Sequence, residues 1–216
     1  MKAIVIGATG ATGKELVQQL IEHKAFSEIT VWVRKASFDA HPKLKQQIVD
    51  FEKLEDYSKE LNADVAFSCL GTTLKDAGSK EAQWKVDFDF QFNFAELCKK
   101  QNVPTFVLLS AMNADSKSLF FYGKMKGKLE DKIREINFGK LLIFRPGILD
   151  RPDSARSGEK ISVKVLRFFN QLGLLKKQRP IEVSDLATAM IEGVLKYSDG
   201  NHSIPLDDIF QLAKQK

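Results

Sequence analysis

A chain of 216 residues, 44% hydrophobic and 28% charged, is long enough to bury a substantial core and is composed like a globular protein. No apolar run approaches the roughly 20 residues of a membrane span, no internal repeat is present, and two cysteines cannot staple a secreted scaffold. Lys plus Arg outnumber Asp plus Glu by 33 to 28, and the excess is spread along the chain. Neither a nucleic-acid nor a membrane partner is therefore expected, although a phosphorylated small molecule needs only a few of those charges.

Residues 3–6 form a short, wholly apolar run, too short for a secretory signal. They lead into Gly7-Ala8-Thr9-Gly10-Ala11-Thr12-Gly13 and then a helical pattern through Leu16, Val17, Leu20 and Ile21. In a strand–loop–helix of this kind Gly7 permits the tight turn, Gly10 lets backbone approach a pyrophosphate, and Gly13 lets helix and strand pack closely. The unpaired N–H groups and dipole of the helix start then face the phosphates. The second strand, 29–33, ends in Arg34 and Lys35. A carboxylate there suits the ribose 2′-OH of NAD, whereas an arginine suits a 2′-phosphate, so NADP is the expected cofactor, with NAD possible.

Further strands are expected at 47–49, 64–68, 106–110 and 141–144, with helix or loop between them. Strands apolar throughout and separated by helices describe an α/β protein with a doubly wound parallel sheet, the Rossmann fold, read as one domain over 1–216. Phe88, Phe90, Phe92 and Phe94 alternate with polar residues like a strand. The crossover between parallel strands calls for a helix there, and the following Ala95–Lys100 stretch agrees. Such a helix is apolar over more than one face, so its outer side should be covered, a homodimer seam being favoured over additional core. Cys69 and Cys98 lie in apolar segments and are expected reduced and buried, in a cytoplasmic protein; three scattered histidines build no metal site.

A helix expected over 119–136 carries Tyr122 and Lys126 one turn apart, and Ser110 ends the strand before it. A phenol asked to move a proton at neutral pH needs a nearby ammonium, which is what that spacing offers.

Gly-Ala-Thr-Gly-x-x-Gly, a serine at a strand end and Tyr-x-x-x-Lys on the next helix, in that order, resemble the short-chain dehydrogenase/reductase superfamily in its extended and atypical branches. Ser68-Cys69-Leu70-Gly71-Thr72-Thr73, Val86-Asp87, Tyr122-x-x-x-Lys126-Gly127 and Phe144-Arg145-Pro146-Gly147 are similar to its Tat-interacting oxidoreductase-like subfamily, over essentially the whole chain. The resemblance implies that Tyr122 is the acid/base, that Lys126 holds the nicotinamide ribose and tunes Tyr122, and that Ser110 orients a substrate carbonyl. It further implies that Asp50, beside Phe51, holds the adenine amino group. Leu70, Gly71, Thr72 and Thr73 would pass backbone along the cofactor, and Pro146 and Gly147 would lie beside the nicotinamide. Asp87 stands where extended members carry a proton-relay asparagine.

The short remainder after Gly147 is expected to supply a small substrate-side lid over 148–216. It would comprise a helix at 163–175, a strand near Ile181, a helix through Leu186, Met190 and Val194, and a closing stretch at 206–212. A small carbonyl compound fits such a lid better than a nucleotide sugar. The function expected is an NADP-dependent oxidoreductase. An NADP(H)-sensing regulatory protein and a nucleoside-diphosphate-sugar epimerase-like enzyme are the alternatives.

Overall fold

The computed structural model of the chain describes residues 1–150 and 179–214. Among these residues, β1 (Lys2–Ile6), β2 (Glu28–Val33), β3 (Leu44–Ile48), β4 (Val65–Ser68), β5 (Thr105–Leu109), β6 (Lys140–Arg145) and β9 (Gly200–Pro205) form one sheet. Their order is β3-β2-β1-β4-β5-β6-β9, and every neighbouring pair is parallel. Between β6 and β9 in sequence, β7 (Leu149–Asp150) pairs in parallel with β8 (Ile181–Glu182). The doubly wound parallel sheet is therefore as expected.

Helices cover both faces: α1 (Ala11–Glu22), α2 (Leu74–Ala77), α3 (Lys80–Trp84), α4 (Phe90–Lys100), α5 (Phe121–Ile136), α6 (Val183–Lys196) and α7 (Leu206–Ala213). Alternating side chains of the strands feed two cores. Val5, Phe67 and Phe144 pack with Leu16 and Leu20 of α1, Met190 of α6 and Ile209 of α7. Ile4, Trp32 and Phe106 pack on the other face with Phe94 of α4 and with Leu129 and Ile133 of α5. Burial on both faces is why these strands read as continuous apolar runs. The edge strand β3 is different: Lys45, Gln46 and Gln47 are half-buried or exposed, so the strand begins at Leu44 and not at the expected 47.

The phenylalanine-rich segment is helical. A π-helical turn over Lys85–Asp89 joins α3 to α4, and its extra residue sets the phase of α4. Asp87, Gln91, Phe94 and Cys98 then fall on one buried face. Phe94 is enclosed, while Phe88, Phe90 and Phe92 are half-buried, and Phe88 stacks on Trp84 at 4.7 Å.

Helix α5 starts at Phe121, two residues later than expected, because Phe120 is extended and its N–H takes the Ser118 hydroxyl as acceptor. The loop before it presses onto the helix. A Cβ on Gly127 would stand 2.1 Å from Ser116 N, and one on Gly123 would stand 2.7 Å from Asn113 O. These two glycines bring the loop after β5 and the Tyr122–Lys126 face together. The helix expected at 163–175 lies outside the described residues.

Candidate functional site

Strand order reverses at β1, which has β2 on one side and β4 on the other, and a crevice opens at their carboxyl ends, where such sheets bind ligands. It is a cleft of about 610 Å³ whose walls include Gly10, Thr12, Gly71, Ser110, Tyr122 and Lys126. The start of α1, the loop after β4 and the face of α5 thus share one cavity.

Gly7 has φ of +74°, and a Cβ there would stand 2.3 Å from the carbonyl carbon of Cys69. A Cβ on Gly13 would lie 2.2 Å from Gly7 O, so both positions admit no side chain. Gly10 meets only Gly7 O, at 3.3 Å, leaving its other side open to the cleft. It also begins α1 with no side-chain cap, so the first N–H groups of the helix are free for an anion. Ala11 and Thr12 line the cleft, whereas Thr9 is exposed beside it.

The loop after β4 is pinned from below. Thr72 N donates to Asp87 Oδ2 at 2.8 Å, and Gln83 Nε2 donates to Thr72 O at 3.1 Å. Leu70, Gly71, Thr72 and Thr73 all line the cleft, as does Cys69. Burial pushes the Cys69 thiol up to about 12 against the pull of Lys126, so it stays a neutral thiol and not a nucleophile. Cys69 and Cys98 are both free and buried, as expected.

Lys126 is enclosed. Its Nζ lies 3.5 Å from Leu109 O and 3.7 Å from Asp87 Oδ1, with only 2% of the Lys126 side chain exposed and none of Asp87. Burial raises the Asp87 carboxyl above its ordinary 3.8, and the Lys126 ammonium and the Thr72 N–H draw it back down. A carboxyl raised by folding binds its proton more tightly in the native state, so its contribution to stability is full below 3.8 and is lost as pH rises through the native value. Lys126→Met removes the largest opposing influence and extends that window upward. Urea unfolding of this variant should therefore lose stability as pH climbs above about 4, by at most about 1.4 kcal/mol per pH unit, on a steeper slope than the parent. Parallel slopes would mean that Lys126 does not hold the Asp87 charge.

Tyr122 is 44% exposed at the mouth of the cleft, on the same α5 face as Lys126. Ser110, 5% exposed, lines the cleft too, but its hydroxyl donates to Glu130 Oε1 at 2.5 Å. That hydroxyl proton is thus engaged behind the cleft. Glu130 is buried and further held by Arg145 and Arg134. Sequence reasoning passed over Glu130. Its signal is the i,i+4 spacing from Lys126, which puts both on the inner face of α5.

Other expected residues stand apart from this cleft. Arg34 and Lys35 are exposed in the turn after β2, and neither forms an ion pair with a described residue. Asp50 is exposed, and its Oδ1 accepts from Glu52 N at 3.0 Å, tying its own turn. The Phe51 ring is buried against Phe90 at 5.6 Å and does not line the cleft. Pro146 and Gly147 line a neighbouring recess of about 290 Å³ that shares Ser110 and Tyr122 with the main cleft. Among the described residues no cluster could hold a metal, and no helix is long and apolar enough to cross a membrane.

Parallel sheet, glycine turn and open helix start together define a dinucleotide-binding protein of the Rossmann class. The chain belongs to the NAD(P)H-binding family, whose sequence model matches residues 7–192. Among curated proteins it is 40% identical over 174 residues to Protein HTATIP2 of Rattus norvegicus, covering 78% of this chain and 70% of that protein. To Protein FMP52, mitochondrial, of Candida albicans it is 30% identical over 207 residues, covering 93% of this chain and 90% of that protein. Among solved structures it resembles the UDP-glucose 4-epimerase of Thermotoga maritima with a TM-score of 0.71 at 16% identity, over 100% of this chain and 82% of that one. At that identity the likeness is one of fold.

The expected cytoplasmic location is corrected by these relatives, several of which carry mitochondrial names. Buried thiols report a reducing compartment and not which one.

Proposed function

We propose that the protein is an NADP-dependent oxidoreductase acting on a small carbonyl or alcohol substrate, with Tyr122 as its acid/base. The observation that carries this reading is the single cleft in which the open start of α1 and the loop after β4 face Tyr122 and Lys126. The free N–H groups at Ala11 and Thr12 hold the diphosphate, Gly10 gives its backbone close approach while its own N–H donates to Gly7 O at 3.0 Å, and Gly7 and Gly13 keep that turn close to the sheet. Backbone at Leu70, Gly71, Thr72 and Thr73 follows the dinucleotide, and Pro146 and Gly147 flank its nicotinamide end. Arg34 and Lys35, exposed and unpaired with described residues, take the 2′-phosphate, while Asp50 meets the adenine.

When bound, the nicotinamide supplies or accepts the hydride. Tyr122 then gives a proton to the substrate oxygen as the carbonyl carbon is reduced, or takes it in the reverse direction. Lys126, one turn along the same helix, keeps a positive charge beside the phenol, and Asp87 balances that charge from behind. Among the described residues the recess beside Pro146 and Gly147 measures about 290 Å³, which favours a compact substrate over a sugar nucleotide.

Arg34→Ala tests the cofactor choice. NADP affinity should fall roughly tenfold or more, as for a lost charge-assisted contact, with NAD affinity nearly unchanged in parallel calorimetric titrations. Equal losses for both cofactors would remove Arg34 from the 2′-phosphate site.

A further inference from the structure

Ser110 lines the cleft at 5% exposure, and the proton of its hydroxyl is already spent. Glu130 Oε1 accepts from Ser110 Oγ at 2.5 Å and from Arg145 Nε at 3.0 Å. Glu130 Oε2 accepts from Arg134 Nη2 at 3.0 Å and from Arg145 Nη2. A carboxylate gripped by two guanidinium groups is ionised and only accepts, so the proton in the Ser110–Glu130 bond is the serine's own. A hydroxyl has one proton, and what remains to Ser110 is a lone pair. Its main-chain N–H is equally committed, donating to Phe144 O at 2.8 Å. A bare carbonyl oxygen meeting Ser110 would find no donor there.

We propose that Glu130 is a positioning residue that fixes Ser110 as a hydrogen-bond acceptor, so that the site takes a substrate with a hydroxyl next to its reacting carbon. The substrate class is an α-hydroxy carbonyl compound and the vicinal diol it interconverts with. This rests on the reading of Tyr122 as the proton donor, which leaves Ser110 free to receive the neighbouring hydroxyl. Among the described residues, Ala111, Pro146, Ile148 and Leu149 wall the recess and Ser110 and Tyr122 are its polar side chains, suiting a short carbon skeleton with two adjacent oxygens. In the reduction, the carbonyl carbon gains the hydride of the reduced nicotinamide and its oxygen gains the Tyr122 proton, giving the diol. The second hydroxyl is bound and not consumed.

Acetoin and 2-butanone, four-carbon ketones that differ by that one hydroxyl, are the probes. Their binding to the NADPH-loaded protein is followed by ligand-observed NMR, and their reduction by loss of reduced-nicotinamide absorbance. Acetoin should bind about fivefold more tightly, the size of one net hydrogen bond. Ser110→Ala should bring the ratio close to unity, and Ser110→Thr, which keeps the hydroxyl, should preserve it. Glu130→Gln should lower the ratio, because a neutral amide no longer compels the serine proton. Should that variant fail to fold, the Ser110 hydroxyl proton decides: it should be a slowly exchanging resonance in the parent protein, absent from Ser110→Ala. Equal binding of the two ketones, binding of neither at millimolar concentration, or no such resonance would overturn the proposal. Selective acetoin binding without NADPH oxidation would instead remove the oxidoreductase reading and leave the acceptor role of Ser110 standing.

Discussion

Tyr122→Phe keeps its cofactor and loses its turnover. General acid–base catalysis by a positioned side chain contributes about 10²- to 10⁴-fold, and a fall of that size is expected when the phenolic proton is removed and the ring retained. Tyr122 is 44% exposed, and its hydroxyl is not needed to fill the core, so the folded state should be little affected. NADPH titration and steady-state reduction rates, measured side by side, separate the two effects. A variant that turns over at the parent rate would show that another group supplies the proton. A variant that also loses NADPH would make Tyr122 part of the binding surface and leave its acid/base role without support.

Glu130→Ala should be the most damaging single change to stability among the buried polar residues. Four hydrogen bonds converge on this carboxylate from Ser110, Arg134 and Arg145, and its own side chain has no exposure. Removing one partner of a buried ion pair costs about 3–5 kcal/mol because the remaining charge stays desolvated. The side chains of Arg134 and Arg145 are each 31% exposed, so both can recover some hydration, and a loss near the lower end, about 3 kcal/mol, is expected. Urea unfolding at neutral pH measures it directly. A loss below about 1 kcal/mol would place the network with ordinary surface pairs, where the median worth is no larger.

The parts of this molecule legible in the sequence are those whose chemistry is local. Gly7, Gly10 and Gly13 announce a turn, an approach and a packing contact because each needs a missing side chain, and the space around two of them leaves no room for one. Strands β1, β2, β4, β5 and β6 show as apolar runs because both of their faces are covered. Strand β9 escaped notice: as a polar sheet edge, with Asn201, His202 and Ser203 at its centre, it carries no apolar signal and is held by backbone pairing to β6. The π-helical turn also has no sequence signature, and it is what carries Asp87 into contact with Lys126.

The spacing of Tyr122 and Lys126 was visible, but not the loop pressed against Gly123 and Gly127 that holds their helix. Ser110 stands out in the sequence by its place at the end of a strand. Its partner Glu130 lies 20 residues away, and only the fold brings the two together. A role for a hydroxyl depends on where its one proton goes, which composition and spacing do not report.

Calorimetric titration of the purified protein with NADP(H) and with NAD(H) tests the dinucleotide site most directly. One molecule of cofactor should bind per chain, NADP(H) more tightly than NAD(H), with heat lost when the turn is blocked by Gly10→Glu. Association of neither dinucleotide with the folded protein would contradict the account at its base, whatever the geometry around Tyr122.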